Sequence, residues 1–203
     1  MELKMGATLF KDIEVGYFDN YGNKINQDSI LTNTEKHIGT IGPDIFQNKI
    51  LIIDYARNRI STCQELPKQY KLATFQPFRN DDGRIKIPFL INGEIQYILF
   101  DTGSSIFTLT TSKEHALKTA DAKIVDSLIV TSWGKEITFY GVKTNRPIKF
   151  GNKVLNGSLI YFDEKETFKE FYKSANIWGL TGNVFFLRNT VIIDYKNQLF
   201  GVL

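Results

Sequence analysis

Ile98-Leu99-Phe100-Asp101-Thr102-Gly103-Ser104-Ser105 is an apolar β-type run that delivers an acid to a tight glycine turn, and a second apolar run, Ile106 to Leu109, follows it. A carboxylate at such a strand end can be held rigidly, and Gly103 removes the side chain that would keep a substrate or a second loop away. Taken alone, Asp-Thr-Gly is an ordinary turn after a strand. Its surroundings change the reading. Upstream, Gly83 to Gly93 alternates and closes on Asn92-Gly93, and Glu94 to Phe100 reads as a second strand, which is a hairpin signal. Downstream, Asp126 to Trp133 and Glu136 to Lys143 flank Gly134-Lys135 and predict another hairpin with its tip at Trp133 to Lys135. Two segments are helical instead. Thr111-Ser112-Lys113-Glu114 has the form of a capping box and opens a short polar helix to about Asp121. Glu164 to Ala175 sets Phe168, Phe171 and Tyr172 on one helical face. Neither helix is long enough to alter an all-β class.

The chain also repeats itself. Gly39-Thr-Ile-Gly42, Phe46 and Ile52-Ile-Asp-Tyr55 align with Gly179-Leu-Thr-Gly182, Phe186 and Ile192-Ile-Asp-Tyr195, since 179 − 39 and 194 − 54 are both 140. Leu3-Lys-Met-Gly6 resembles Ile148-Lys-Phe-Gly151 at an offset of 151 − 6 = 145, the slip a loop insertion would produce. The second copy carries two hairpins and a capped helix ahead of Ile148 that have no counterpart before Leu3. This organisation predicts the C-terminal part of a first lobe at 1–63, a connector at 64–82 and a complete second lobe at 83–203. The connector holds Pro67, Pro77 and an Asn80-Asp81-Asp82 turn, as a boundary should, although Leu72 to Phe75 also suits a strand.

Composition narrows the function. At 203 residues with 42% hydrophobic and 23% charged, the chain has the make-up of an ordinary globular protein. The 25 Lys and Arg against 22 Asp and Glu are spread along it, which argues against nucleic acid as a partner. Cys63 is the sole cysteine, so an intramolecular disulfide, a thiolate zinc cage and a CxxC pair are all excluded. The longest apolar runs, Ile50 to Ile53 and Val191 to Ile193, are strand-sized, and no membrane span is expected. The first residues show no secretory signal; export or a periplasmic location would need one ahead of Met1, and the cytoplasm is the expectation otherwise.

An apolar strand ending in Asp-Thr-Gly-Ser-Ser, a hairpin about thirty residues later and a Gly-x-x-Gly before an apolar strand together resemble the aspartic proteases of the pepsin and retropepsin clan. The resemblance covers the second lobe well and the first only from its late strands through Gly42. It implies pepsin- or retropepsin-like β-barrel lobes, the second complete and the first partial. It implies Asp101 as a catalytic aspartate, Thr102 as the residue whose hydroxyl braces paired active-site loops, Gly103 as the loop glycine and Gly182 as the glycine crossing behind. Ser104, Ser105, Trp133 and Gly134 then fall on the substrate side, Trp133 at a flap tip. Thr181 departs from the pattern, standing where the family has an apolar residue.

Two carboxylates sharing one proton are needed for that chemistry, one as base toward water and the other as acid toward the peptide carbonyl. Asp101 is one. Asp12, Asp19, Asp28 and Asp44 lack a following Thr/Ser-Gly, and Asp54 duplicates Asp194, a structural strand-end residue. The repeat offsets place the partner ahead of Met1, in the manner of an N-terminally truncated protein, and a dimer through the incomplete first lobe is the other way to supply it. The expected partner is a peptide or protein substrate, with no metal or cofactor. A catalytically inactive relative that binds peptides or a partner protein is the alternative. His37 and His115 are isolated, without metal-ligand spacing, and Cys63 has no nearby base. Ser104 and Ser105 lack a Gly-x-Ser-x-Gly elbow.

Overall fold

The computed structural model describes residues 1–16, 28, 31–33, 39–132, 135–155 and 159–203. The chain divides into two compact units, Met1–Gln47 and Asn48–Leu203. In the first, β1 (Leu3–Met5) and β2 (Thr8–Phe10) form an antiparallel hairpin. Gly6 sits in its turn at φ +58°, a conformation that side chains resist. A 3-10 turn spans Pro43–Phe46, and the Phe46 ring meets Phe10 edge-on at 5.9 Å.

The second unit is built on strands. A five-stranded antiparallel sheet combines β3 (Ile50–Asp54), β4 (Arg59–Cys63) and β5 (Thr74–Pro77) with β15 (Thr190–Asp194) and β16 (Leu199–Val202), in the order β4-β3-β15-β16-β5. The strand expected within the connector is therefore β5, paired to β16. At the sheet's centre β3 and β15 run antiparallel with Ile52 opposite Ile192. Those two residues are equivalent positions of the sequence repeat, so the pairing of β3 with β15 is symmetric about them.

The nine-stranded sheet carries the Asp101 loop. It contains β6 (Lys86–Ile91), β7 (Glu94–Phe100), β8 (Thr110–Thr111), β9 (Ala120–Ser132), β10 (Lys135–Thr144), β11 (Ile148–Phe150), β12 (Lys153–Leu155), β13 (Leu159–Asp163) and β14 (Gly179–Thr181). The first expected hairpin is β6 and β7, turning at Asn92 (φ +54°) and Gly93 (φ +86°), the two left-handed residues that a tight two-residue hairpin demands. The second is β9 and β10, but β9 begins at Ala120, six residues before the expected start at Asp126. Its tip residues Trp133 and Gly134, like His37, lie outside the described residues.

Helices are shorter than the pattern predicts. α1 covers Lys113–Thr119 and its N-cap is Ser112, whose hydroxyl accepts from the His115 N–H at 3.2 Å. The capping box written on Thr111 is thus one residue early, because Thr111 is already committed to β8. α2 covers Lys169–Ser174, less than the expected 164–175. Glu166 takes φ +48° and Phe168 stands outside helical geometry, so the first turn never forms. The apolar face is nevertheless used, since Phe168, Phe171 and Tyr172 pack with Leu99, Ala175 and Ile177.

Aromatic rings join the two sheets. Phe100 meets Phe186 and Phe200 at centroid distances of 5.6 and 5.1 Å, Phe150 meets Phe200 at 5.6 Å, and Phe89 touches both Phe150 and Phe185. Phe89, Phe150, Phe186 and Phe200 are fully buried. Each fills volume and adds an edge-on or tilted ring contact. The strand that ends at Asp101 is therefore anchored in this buried aromatic cluster.

Candidate active site

Why Asp101 sits where it does follows from β7 and β14. The two strands are parallel, with Gly179 opposite Ile98, Leu180 opposite Leu99 and Thr181 opposite Phe100. On its other side β14 pairs antiparallel with β8, so it is threaded between the strands on either side of the Asp101 loop. Asp101 and Gly182 consequently leave the sheet together. The Asp101 N–H donates to the Thr181 carbonyl at 2.9 Å, and its carbonyl accepts from the Ser104 N–H at 3.0 Å. Its carboxylate is exposed and is oriented by the Gly103 N–H, which donates to Oδ1 at 2.8 Å.

Gly182 is required by contact. A Cβ there would overlap the Ser104 carbonyl oxygen and press on the Asp101 carbonyl oxygen at 2.8 Å, both backbone atoms with no room to yield. Gly103 is less confined, since a Cβ would meet Asp101 Oδ1 at 3.1 Å. Thr181, the departure from the resembled pattern, is fully buried, and its hydroxyl donates to the Thr108 carbonyl at 2.7 Å. A polar residue is tolerated there because its hydroxyl ties β14 to the segment after the loop.

The loop residues fall as follows. Thr102 and Gly103 are exposed, Ser104 is half-buried and Ser105 is exposed. Among the described residues the Thr102 hydroxyl makes no hydrogen bond, while its carbonyl accepts from Asn183 Nδ2 at 2.7 Å. Asn183 is a functional candidate that the sequence reading passed over. Its Oδ1 in turn accepts from the Tyr55 hydroxyl at 2.6 Å. Burial pushes the Tyr55 phenol up to about 12, so this hydroxyl keeps its proton. The available signal was its place directly after the crossing glycine.

A second feature, on β6 beside β7, also went unread. Lys86, opposite Leu99 in the hairpin, is buried, and its ammonium meets Asp81 at 3.1 Å and Asp82 at 3.0 Å. Burial pulls the lysine down, but the hydrogen bonds it donates to Asp82 and Asp81 outweigh it and the net direction is up. For Asp82 burial raises and the bonds to Lys86 and Arg84 lower, with the net direction down. The Asn80-Asp81-Asp82 stretch is thus a charge clamp as well as a turn.

The remaining candidates have structural surroundings. His115 stacks on Trp178 at 5.3 Å with an interplanar angle of 4°, and its Nδ1 lies 3.4 Å from both the Thr111 hydroxyl and the Trp178 carbonyl. Cys63 is half-buried, and burial followed by the negative field of Asp194 pushes its thiol up, away from a reactive thiolate. Among the described residues no cluster of three or more His, Cys, Asp or Glu side chains is placed to hold a metal ion, and no helix is long and apolar enough to cross a membrane.

No family model and no curated protein matches the chain. Among solved structures, a retropepsin-like aspartic protease from Rickettsia conorii is similar to it, at 18% identity and a TM-score of 0.38 over 58% of this chain and 84% of that one.

Proposed function

We propose that this chain contributes one half of an aspartic endopeptidase site, in which Asp101 is one of two carboxylates that share a proton and activate water for attack on a peptide bond. The observation that carries the reading is the Asp101 loop: an exposed carboxylate at the end of a core strand, held by the Gly103 N–H at 2.8 Å and backed by a crossing strand whose Gly182 admits no side chain. Rigid placement of this kind is what a dyad needs, because its two acids must stay close enough that only one ionises. The second aspartate comes from an equivalent loop, either of a first lobe to which residues 1–63 belong or of another copy of this chain. Thr102 braces that pairing, and Ser104, Ser105, Trp133 and Gly134 border an extended peptide. The reaction uses no metal or cofactor.

The test is cleavage of an unstructured peptide mixture, read by mass spectrometry across acid to neutral pH and over a range of protein concentrations. Asp101→Asn is expected to lower the rate by at least about a hundredfold, the scale of losing an acid–base group. Cleavage that survives this change sinks the reading. A rate rising with the square of the concentration would assign the second aspartate to another copy, and peptide binding without cleavage would favour a binding module.

A further inference from the structure

We propose that Tyr55 and Asn183 are positioning residues that aim the Gly103 N–H at the Asp101 carboxylate through a continuous chain of hydrogen bonds. The inference rests on reading Asp101 as a reacting carboxylate.

Tyr55 Oη–H donates to Asn183 Oδ1 at 2.6 Å, Asn183 Nδ2–H donates to the Thr102 carbonyl at 2.7 Å, and the Gly103 N–H donates to Asp101 Oδ1 at 2.8 Å. The Thr102 carbonyl and the Gly103 N–H belong to one planar trans peptide group, so they point in opposite directions and turn as a unit. Pulling on the carbonyl from one side therefore fixes the N–H on the other. The dipoles run head to tail from phenol to side-chain amide to peptide to carboxylate, the arrangement in which each bond polarises and strengthens the next. Without this anchor the peptide, which lies in an exposed loop, would be free to rotate and carry the Gly103 donor away from Asp101.

Local structure sets both anchors. Asp54 ends β3 and accepts from the Arg57 N–H at 3.1 Å, which winds Tyr55–Arg57 into a 3-10 turn and aims the phenol. Asn183 is the first residue of the 3-10 turn Asn183–Phe186, and Gly182 is its N-cap. Tyr55 comes from one copy of the duplication and Asn183 from the other. The position equivalent to Asn183 is Pro43, which has no amide to offer, so the chain cannot be repeated by the duplication.

The experiment uses the whole chain and reads the Gly103 amide by NMR. Tyr55→Phe keeps the ring and removes only the first donor, while Asn183→Asp keeps the shape and removes the N–H that grips the Thr102 carbonyl. Expected in both are an upfield shift of the Gly103 amide proton and exchange about threefold to tenfold faster there, the larger change in Asn183→Asp, with exchange in β3 and β15 unaltered. Tyr195→Phe, the duplicate's tyrosine beside Phe78, leaves Gly103 unmoved. An unchanged Gly103 in Tyr55→Phe overturns the proposal, and that variant decides the matter if Asn183→Asp fails to fold. Where cleavage is measured, kcat falls with KM preserved. A shifted Gly103 in a protein whose cleavage survives Asp101→Asn leaves the chain of bonds standing and removes the protease reading; an unshifted Gly103 in a protein whose cleavage needs Asp101 does the reverse.

Discussion

The hairpins β3–β4 and β15–β16 are two answers to one backbone plan. Both strand ends are closed by the same device, in which Asp54 accepts from the Arg57 N–H and Asp194 accepts from the Asn197 N–H, and both turns then use a left-handed residue, Asn58 at φ +49° and Gln198 at φ +52°. The surroundings differ. Phe200 is fully buried among Phe100, Phe150 and Phe186, whereas its equivalent Ile60 is 69% exposed. β16 is covered at its outer side by β5, and β4 stands at the end of the sheet. A duplicated sequence thus preserves local geometry while burial is decided by what each copy is given to pack against.

The largest effect should come from breaking this contrast at its buried end. Phe200→Ala is expected to cost about 3–5 kcal/mol and Ile60→Ala no more than about 0.5 kcal/mol, read as denaturant midpoints at constant m. Equal losses would mean that Ile60 is covered in solution. The glycines sharpen the comparison. Gly182→Ala meets backbone oxygen and should cost at least about 3 kcal/mol, at or beyond the upper end of ordinary overpacking. Gly42→Ala meets only the Asp44 carboxylate, a side chain that can swing aside, and should be nearly neutral by the same measurement.

The smallest effect is electrostatic. The Arg57 side chain holds the Asp54 carboxyl below its usual 3.8. A carboxyl depressed in the folded state adds stability above its unfolded value and loses it as pH falls through the folded one. Arg57→Ala should therefore remove a small stabilisation that is present at neutral pH, flatten the acid limb of the stability profile below about pH 4, and leave the most acid end, where Asp54 is already protonated, almost unchanged. The buried Lys86 clamp adds to the same limb, because Asp82 is also held low and loses its bond to the ammonium on protonation. An acid limb unaffected by Arg57→Ala would show that Asp54 titrates normally.

The all-β class, both hairpins, the Asn92-Gly93 turn and the strand delivering Asp101 were legible because each is a local pattern of alternation and turn chemistry. The two glycines aligned by the repeat, Gly6 and Gly151, both take positive φ, +58° and +56°. Helix ends were not, since Thr111 satisfies a strand and a cap equally well in sequence and only pairing with β13 and β14 decides between them. The Lys86 clamp hid inside an alternating strand, where a charged residue reads as the exposed face. The Tyr55–Asn183 contact spans 128 residues of chain, and no periodicity carries that information.

The meeting of Ile52 with Ile192 also dictates an order of assembly. Each hairpin closes over a few residues, but joining β3 to β15 must close a loop of about 140, an entropic cost met only after both hairpins and much of the intervening sheet exist. Tyr55 lies just beyond that seam. The Asp101 loop therefore acquires its last restraint at the end of folding, and a chain arrested before the seam closes would hold a formed strand with an unaimed carboxylate.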